Sequence, residues 1–452
     1  MFRTVGESTS VKPLPRNNRR RARTPLEGFL GKYFAPQKTS SRPAASSQVV
    51  QLKIDVPLLL VVLTLVVFGI LMVFSASTDF SQVVLEKEPM YIFNRQLIWL
   101  ALGLFGAVIA TLMDYHNWRH LVVLAMGATI FLLVGVLVVS NVRLGATRSL
   151  LGGSIQPSEL AKLVTVIYLA VWLYAKREKL SDINFGLLPL AAILGILGGL
   201  IVLQPDLSAV VTVFALGGFL FFLAGGDMRQ ISALLVIALL VGWAVVQLSP
   251  TGSERLRDYI AGLKDPTEGS YHVRRSFEAF VKGGWIGVGI GRSETKYTGL
   301  PVPPTDSIFA VVGEETGVLG SLGLVALYSL VLWRGMVIAR RAPDQLGALL
   351  ASGLSVWIAM EAFINMAVMV NLLPFAGNAL PFISAGGSSL VVSLTGIGIL
   401  MNISRLSYQQ REEQGRSFNA VVDLRGRDWR RRVSGANRSA GYARVRPKQD
   451  RS

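Results

Sequence analysis

Apolar runs recur between residues 54 and 404, with short polar segments between them. A run of about 20 residues is what an α-helix needs to cross the hydrocarbon core of a bilayer. Lipid offers no hydrogen-bond partners to the backbone, so such runs must be helical there. The pattern predicts an all-α integral membrane protein with about ten transmembrane helices, near 57–76, 95–113, 120–140, 157–175, 187–204, 207–225, 230–249, 308–333, 345–371 and 387–404.

The count of ten has one weak point. The spans at 187–204 and 207–225 are short and share only the break Gln204-Pro205-Asp206, so a rival count fuses or drops one of them.

Charge sets the predicted orientation. Residues 1–53 carry 11 Lys and Arg against 2 Asp and Glu, and residues 405–452 carry 13 against 5, so the tails hold all of the net +17. Because Lys and Arg accumulate on cytoplasmic flanks, both termini are predicted to be cytoplasmic, which an even number of spans satisfies. We therefore predict a disordered basic tail over 1–53, a transmembrane domain over 54–404 and a second disordered basic tail over 405–452.

Composition narrows the chemistry. Charged residues make up 16% of the chain, below the roughly 25% of soluble domains. The chain has no Cys and three His, which excludes a thiol nucleophile and argues against a multi-His metal cluster. No nucleotide-binding fingerprint is present. The basic tails fit anionic lipid headgroups or a cytoplasmic partner better than nucleic acid, and we expect no nucleic-acid partner.

Polar chemistry concentrates on the predicted outer side. The segment 250–307 forms one large extracellular loop that is polar and rich in glycine, and long loops are often functional. It ends at Asp306, just before the eighth span. Asp306 suits two roles, a helix N-cap or a general base at a membrane-edge cavity.

A second candidate lies at the outer end of the fourth span. Glu159 and Lys162 are three residues apart and so share one helix face. Ionisable groups inside a span mark functional sites by default. The alternative is a snorkelling Lys with a Glu that complements the helix dipole.

Two further groups are candidate anion binders. Arg143 and Arg148, in the preceding outer loop, could clamp a phosphate or could be ordinary surface arginines. The segment 386–389 (Gly-Gly-Ser-Ser) opens the last span, where free N–H groups could bind an anion or small residues could serve close helix packing.

These residues occur in strings that resemble the SEDS family, the FtsW/RodA/SpoVE group of cell-wall polymerases. The resemblance covers about 57–405 and looks closer to FtsW than to RodA. The strings that carry it are Gly152-Gly153 with 156–162 (Gln-Pro-Ser-Glu-Leu-Ala-Lys), 203–207 (Leu-Gln-Pro-Asp-Leu), 283–289 (Gly-Gly-Trp-Ile-Gly-Val-Gly), 305–310 (Thr-Asp-Ser-Ile-Phe-Ala), 313–317 and 380–389.

The resemblance implies polymerisation of lipid II into glycan strands outside the cytoplasmic membrane, with undecaprenyl pyrophosphate as leaving group. It implies Asp306 as the catalytic carboxylate, with Lys162 and Glu159 as the polar pair across the cavity. Arg143 and Arg148 match arginines that engage the phosphates. Further substrate-binding candidates are Gln156, Ser158, Gly386, Gly387 and Ser388.

The resemblance also implies partners: a class B penicillin-binding protein, other divisome proteins and the membrane itself, at the division septum. It requires no firm cofactor, although Asp306 could hold a Mg²⁺ or Mn²⁺ ion instead of acting as a base.

The chain departs from the family near Asp306. The family usually has Leu-Pro-Glu-x-His-Thr-Asp-Phe, whereas this chain has Val302, Pro303 and Pro304 after Pro301, and Ser307 after Asp306. Arg275 replaces a usual Gln. These changes keep open a catalytically silent division scaffold, and the buried charges keep open a lipid II flippase or transporter.

Overall fold

The computed structural model describes residues 54–139 and 155–436. Arg143 and Arg148 therefore lie outside the described residues, as do 1–53 and 437–452. In the described ranges the chain forms twelve α-helices: α1 Val56–Asp79, α2 Tyr91–Leu112, α3 Trp118–Val139, α4 Pro157–Lys176, α5 Leu188–Val202, α6 Leu207–Leu223, α7 Met228–Leu248, α8 Pro250–Lys264, α9 Tyr271–Gly283, α10 Ile308–Arg341, α11 Gln345–Met369 and α12 Gly387–Ala436.

The predicted all-α membrane architecture is confirmed. Nine helices of the described ranges are long and apolar enough to cross a bilayer, and α6 is a shorter apolar helix of 17 residues. The helices α5 and α6 are separate, because Asp206 caps α6 by accepting a hydrogen bond from the backbone N–H of Ala209 at 3.3 Å. The rival count that fuses the two spans does not describe this structure.

Two regions differ from the predicted boundaries. The large loop 250–307 contains the polar helices α8 and α9. The last helix continues beyond 404 to Ala436, where the sequence predicted a disordered tail. The stretch 405–436 has no proline and many Glu, Gln and Arg, which favour helix continuation.

The centre of the bundle consists of α4, α11 and α12. About two-thirds or more of the most apolar stretch of each is buried, against 6% for α7. An outer helix such as α7 can be apolar on all sides because lipid covers it. The three central helices instead carry polar side chains that protein must satisfy.

Two clamps join α1 to α10. At one end Arg334 donates two hydrogen bonds to the carboxylate of Asp55, at 3.2 and 2.6 Å. At the other end the hydroxyl of Ser75 donates to Glu315 at 2.5 Å, and Lys296 lies 3.2 Å from the same carboxylate oxygen. The second clamp also fixes the large loop, because Lys296 belongs to it.

The helix α10 is broken at Gly317, whose φ is 68°. The loop segment 284–289 fills the break. The N–H groups of Val318 and Leu319 donate to the carbonyls of Gly284 and Trp285, at 3.0 and 3.1 Å. In return, the carbonyls of Glu314 and Glu315 accept from the N–H groups of Val288 and Gly289, each at 3.0 Å. The break therefore leaves these backbone groups paired.

We expect Gly317→Ala to destabilise the fold by about 1–3 kcal/mol, because this position requires a positive φ, which alanine adopts only with strain. The added Cβ would also lie 2.5 Å from the backbone nitrogen of Gly287. Gly323→Ala is the matched control on the same helix, since nothing lies within 4 Å of its added Cβ. Thermal unfolding in detergent should show a lower midpoint for Gly317→Ala only. Equal midpoints would contradict this account of the break.

Candidate functional site

The loop that carries Asp306 is held from two sides. On one side, Asn365 of α11 donates a hydrogen bond to the backbone carbonyl of Asp306 at 3.1 Å. On the other side, the hydroxyl of Ser384 donates to the carbonyl of Thr305 at 2.7 Å, and the N–H of Ala385 donates to the carbonyl of Pro304 at 2.8 Å. The Asp306 side chain is half-buried at the start of α10.

A cavity of about 160 Å³ opens beside this loop. Side chains of α2 line it, and so do the loop residues Pro304 and Thr305. The residues that line it are Phe80, Leu85, Tyr91, Ile92, Arg95, Gln96, Trp99, Pro304, Thr305, Ala385 and Gly387.

Arg95 lines this cavity, and a second cation, Lys87, lies next to Tyr91, which also lines it. The guanidinium of Arg95 donates to the hydroxyl of Tyr91 at 3.1 Å, and the ammonium of Lys87 lies 4.1 Å from the centre of the Tyr91 ring. Within the described ranges, Arg95 makes no salt bridge to a carboxylate. Neither residue is among the candidates from sequence, although an ionisable group at the rim of a span is the signal that singled out Glu159 and Lys162.

Lys162 lies in the centre of the bundle and is 1% exposed. Its ammonium donates to Glu159 at 2.7 Å and forms a second ion pair with Glu361 of α11. The sequence analysis also missed Glu361, a carboxylate inside the predicted span 345–371. The three side chains carry a formal net charge of −1 and are closed in by protein.

The link from this cluster to Asp306 runs through two asparagines. Asn378 donates from its side chain to the carbonyl of Glu361 at 3.2 Å, and Asn365 donates to the carbonyl of Asn378 at 2.6 Å. Asn365 also binds the carbonyl of Asp306. These hydrogen bonds connect the cluster to the loop that carries Asp306. A direct contact of Lys162 or Glu159 with substrate stays a prediction.

The other predicted substrate residues are brought together by Asp206. Gln156 and Ser158 both donate to its carboxylate, at 3.0 and 2.9 Å. The backbone N–H of Gln156 also donates to the hydroxyl of Ser388 at 3.1 Å. These contacts join α4, α6 and the start of α12, so the polar atoms of these side chains have partners within the protein.

Of the two glycines before Ser388, Gly387 lines the cavity. The N–H of Gly386 donates to the carbonyl of Ser384 at 2.8 Å. Gly387 packs against Trp99 so closely that a Cβ would lie 2.4 Å from the indole nitrogen. Glycine is therefore needed here for close packing, whether or not the helix start also binds an anion.

The carboxylates of Glu314 and Glu315 anchor the large loop. Glu314 accepts from the N–H of Glu294 at 2.9 Å and from the hydroxyls of Ser293 and Thr295. Glu315 belongs to the clamp with Ser75 and Lys296. In the described ranges no group of three or more His, Asp or Glu is arranged to hold a metal ion.

Two of the departures from the family pattern have partners in the structure. The Nδ1 of His272 lies 3.3 Å from the hydroxyl of Ser307, and its ring stacks on Phe375 with centroids 4.0 Å apart. Burial, with the charge of Arg255, lowers the pKa of His272 to about 4, so the ring is neutral at pH 7. Arg275 pairs with Glu278 at 2.6 Å on the surface of α9.

We expect Lys162→Met to cost about 3–5 kcal/mol of folding stability, because it leaves two carboxylates buried without a cation. The triple variant Lys162→Met, Glu159→Gln, Glu361→Gln removes the uncompensated charges and should recover much of that loss. Thermal unfolding in detergent measures both. A Lys162→Met protein as stable as wild type would contradict the buried ion-pair cluster.

Comparisons with known proteins agree with this architecture. The family model described as "Cell cycle protein", for FtsW, RodA and SpoVE, matches residues 56–409. A probable peptidoglycan glycosyltransferase FtsW of Trichlorobacter lovleyi is 36% identical over 354 residues, covering 77% of this chain and 93% of that protein. Stage V sporulation protein E of Bacillus subtilis is 35% identical over 358 residues, covering 78% and 97%.

Solved structures give the same result. A chain from a peptidoglycan synthase complex superposes with a TM-score of 0.65 and 29% identity, over 79% of this chain and 99% of that one. The rod shape determining protein RodA of Thermus thermophilus superposes with a TM-score of 0.56 and 25% identity, over 80% of this chain and 99% of that one. From the fold, the site and these matches together, the chain belongs to the FtsW/RodA/SpoVE family.

Proposed function

We propose that this chain is a peptidoglycan glycosyltransferase that polymerises lipid II on the outer side of the cytoplasmic membrane. The observation that carries the proposal is a half-buried carboxylate, Asp306, on a fixed loop beside a cavity that Arg95 lines, with Lys87 nearby. The same carboxylate lies in the string 305–310 on which the family resemblance rests.

In the proposed reaction Asp306 acts as the general base. The 4-hydroxyl of the acceptor GlcNAc transfers its proton to Asp306 while its oxygen attacks C1 of the donor MurNAc. The bond from C1 to the diphosphate oxygen breaks, and undecaprenyl pyrophosphate leaves with the electron pair. An α-linked donor gives a β-linked product, so one inverting displacement needs one protein base.

The leaving diphosphate gains negative charge and needs nearby cations. Arg95 is suitable because it lines the same cavity as Thr305, which precedes Asp306. Lys87 lies beside Arg95's partner Tyr91 and adds a second positive charge nearby. Arg143 and Arg148 remain candidates for the same task. The donor and the acceptor are both lipid-linked, so two diphosphates come to the site. Arg95 with Lys87 could bind one of them, and Arg143 with Arg148 the other.

The transporter alternative receives less support. A transporter is expected to carry ionisable groups near mid-bilayer at its substrate site. Here the polar contacts at the opposite end serve structure: Arg334 forms an ion pair with Asp55, and the hydroxyl of Tyr115 donates a hydrogen bond to Asp344 at 2.9 Å. The cluster around Lys162 is closed by packing. A silent scaffold remains as an outcome of the activity test.

We further propose a membrane-bound partner and a place of action. The match to a chain of a peptidoglycan synthase complex supports a class B penicillin-binding protein as partner, which crosslinks the new strands. The relatives named FtsW support action at the division septum with other divisome proteins. Co-purification with the transpeptidase from the same cell tests the first point.

Asp306→Asn is expected to lower polymerisation by about 100- to 10,000-fold, because the amide cannot accept the proton. Purified protein is incubated with labelled lipid II and its transpeptidase partner, and products are sized on gels. The control Glu254→Gln removes an exposed carboxylate of the same loop and should keep wild-type activity. Wild-type strand synthesis by Asp306→Asn would refute the base, and an inactive wild type would favour the scaffold.

The same assay in a chelator, followed by Mg²⁺ or Mn²⁺, separates the two roles of Asp306. Activity that persists without divalent cations supports the base. Activity that stops and returns with Mn²⁺ supports a carboxylate that holds a cation at the diphosphate.

Arg95→Met is expected to raise the KM for lipid II by about 10- to 100-fold. The reason is that it removes a hydrogen bond to a charged group, which contributes about 1.5–3 kcal/mol. Arg95→Lys keeps the charge and should lose less. Arg257→Met, which removes an exposed arginine of α8 in the large loop, is the control. An unchanged KM in Arg95→Met would exclude Arg95 from diphosphate binding.

A further inference from the structure

The tip of the large loop, residues 281–290, carries apolar side chains that the protein leaves uncovered. Val281 and Ile286 are each 80% exposed, and Trp285 is 73% exposed. This segment belongs to a loop that the sequence analysis assigned to the aqueous exterior. We infer that the tip is seated in the outer leaflet of the bilayer, with Trp285 and Ile286 at the boundary between headgroups and acyl chains.

The separation of the two clamps between α1 and α10 gives the depth of nearby residues in the membrane. Ser75 follows Asp55 by 20 positions along α1, and Arg334 follows Glu315 by 19 along α10. At 1.5 Å per residue, each separation is about 30 Å. This is about the thickness of the hydrocarbon core. The clamp of Ser75, Glu315 and Lys296 therefore marks its outer boundary, on the side that the Lys and Arg bias predicts to face out.

The tip lies at this boundary or slightly inside it. Trp285 accepts a backbone hydrogen bond from Leu319 at 3.1 Å, and Leu319 lies four residues beyond Glu315 toward Arg334. On α10 the side chains of Leu319 and Leu322 are 59% and 57% exposed and face lipid at that depth. Trp285 thus continues a surface that is already covered by acyl chains.

The chemistry of the tip fits that position. Tryptophan is enriched at the membrane interface because its ring is largely apolar and its N–H can stay hydrated. The flanking Arg292 is exposed, and a long basic side chain can extend to phosphate headgroups. Lys282, on the other flank, pairs with Glu294 at 3.2 Å. Backbone at this depth must be satisfied by protein, and the pairing across the Gly317 break does this for four backbone groups of the tip.

This position has a consequence for the site. The chain passes from the tip through Lys296 and then to the loop that carries Asp306. A tip fixed in the interface, together with the clamp, would hold that loop at the height where the diphosphate of a prenylated substrate lies. The inference about depth itself does not depend on the proposed reaction.

The chain has no cysteine, so single labels can be placed without removing any residue. We would label Ile286→Cys with a nitroxide in liposomes of phosphatidylethanolamine and phosphatidylglycerol, and measure collisions with oxygen and with a water-soluble nickel chelate. Leu239→Cys, 64% exposed in the middle of α7, is the lipid reference. Lys264→Cys, at the exposed end of α8, is the aqueous reference.

The expected result is that Ile286→Cys lies between the two references, with nickel access well below that of Lys264→Cys and oxygen access above it but below that of Leu239→Cys. Nickel access equal to that of Lys264→Cys would place the tip in water and overturn the inference. A label immobile and shielded from both reagents would mean that a second copy of the chain covers the tip, which also overturns it. Because Ile286 is exposed, the variant should unfold at the wild-type temperature, which thermal unfolding verifies.

Discussion

Lipid provides no partner for a polar group, and this constraint explains most contacts in the bundle. Lys162 can exist at the centre only because Glu159 and Glu361 neutralise it, and the isolated charge would be strongly unfavourable. The same rule holds for the backbone. Where α10 opens at Gly317, another segment of the chain supplies the missing hydrogen bonds. Polar groups in this protein therefore act as connections between helices.

Those connections determine where the candidate catalytic group lies. Asp306 is on a loop, which by itself would be mobile. Asn365 reaches it from α11, and Ser384 secures the preceding residue from the segment before α12. The buried cluster around Lys162 connects to Asn365 through Asn378. The buried cluster can in this way help to set the position of the loop that carries Asp306.

The departures from the family pattern become understandable in the same terms. Ser307 places a hydroxyl where the family has a phenyl ring, and His272 of α9 lies within hydrogen-bond distance of it. The neutral imidazole packs on Phe375 and occupies space that a larger side chain at 307 would need. The replacement thus has a local partner, and the carboxylate next to it is retained. Nothing in the structure explains Pro303.

The sequence by itself determined the helical class and the approximate spans, because hydropathy is a property of position along the chain. For Asp306 the pattern left two roles open, a helix N-cap or a general base, and only the family resemblance favoured the base. The sequence did not find Glu361 or Arg95, although each is an ionisable residue within or at the rim of a span. Their roles depend on which helices become neighbours, and α11 meets α4 at Lys162 from far away in the chain. Only the tertiary structure decided that Lys162 is enclosed while the cavity opens at α2, since packing between distant segments sets what water and substrate can reach.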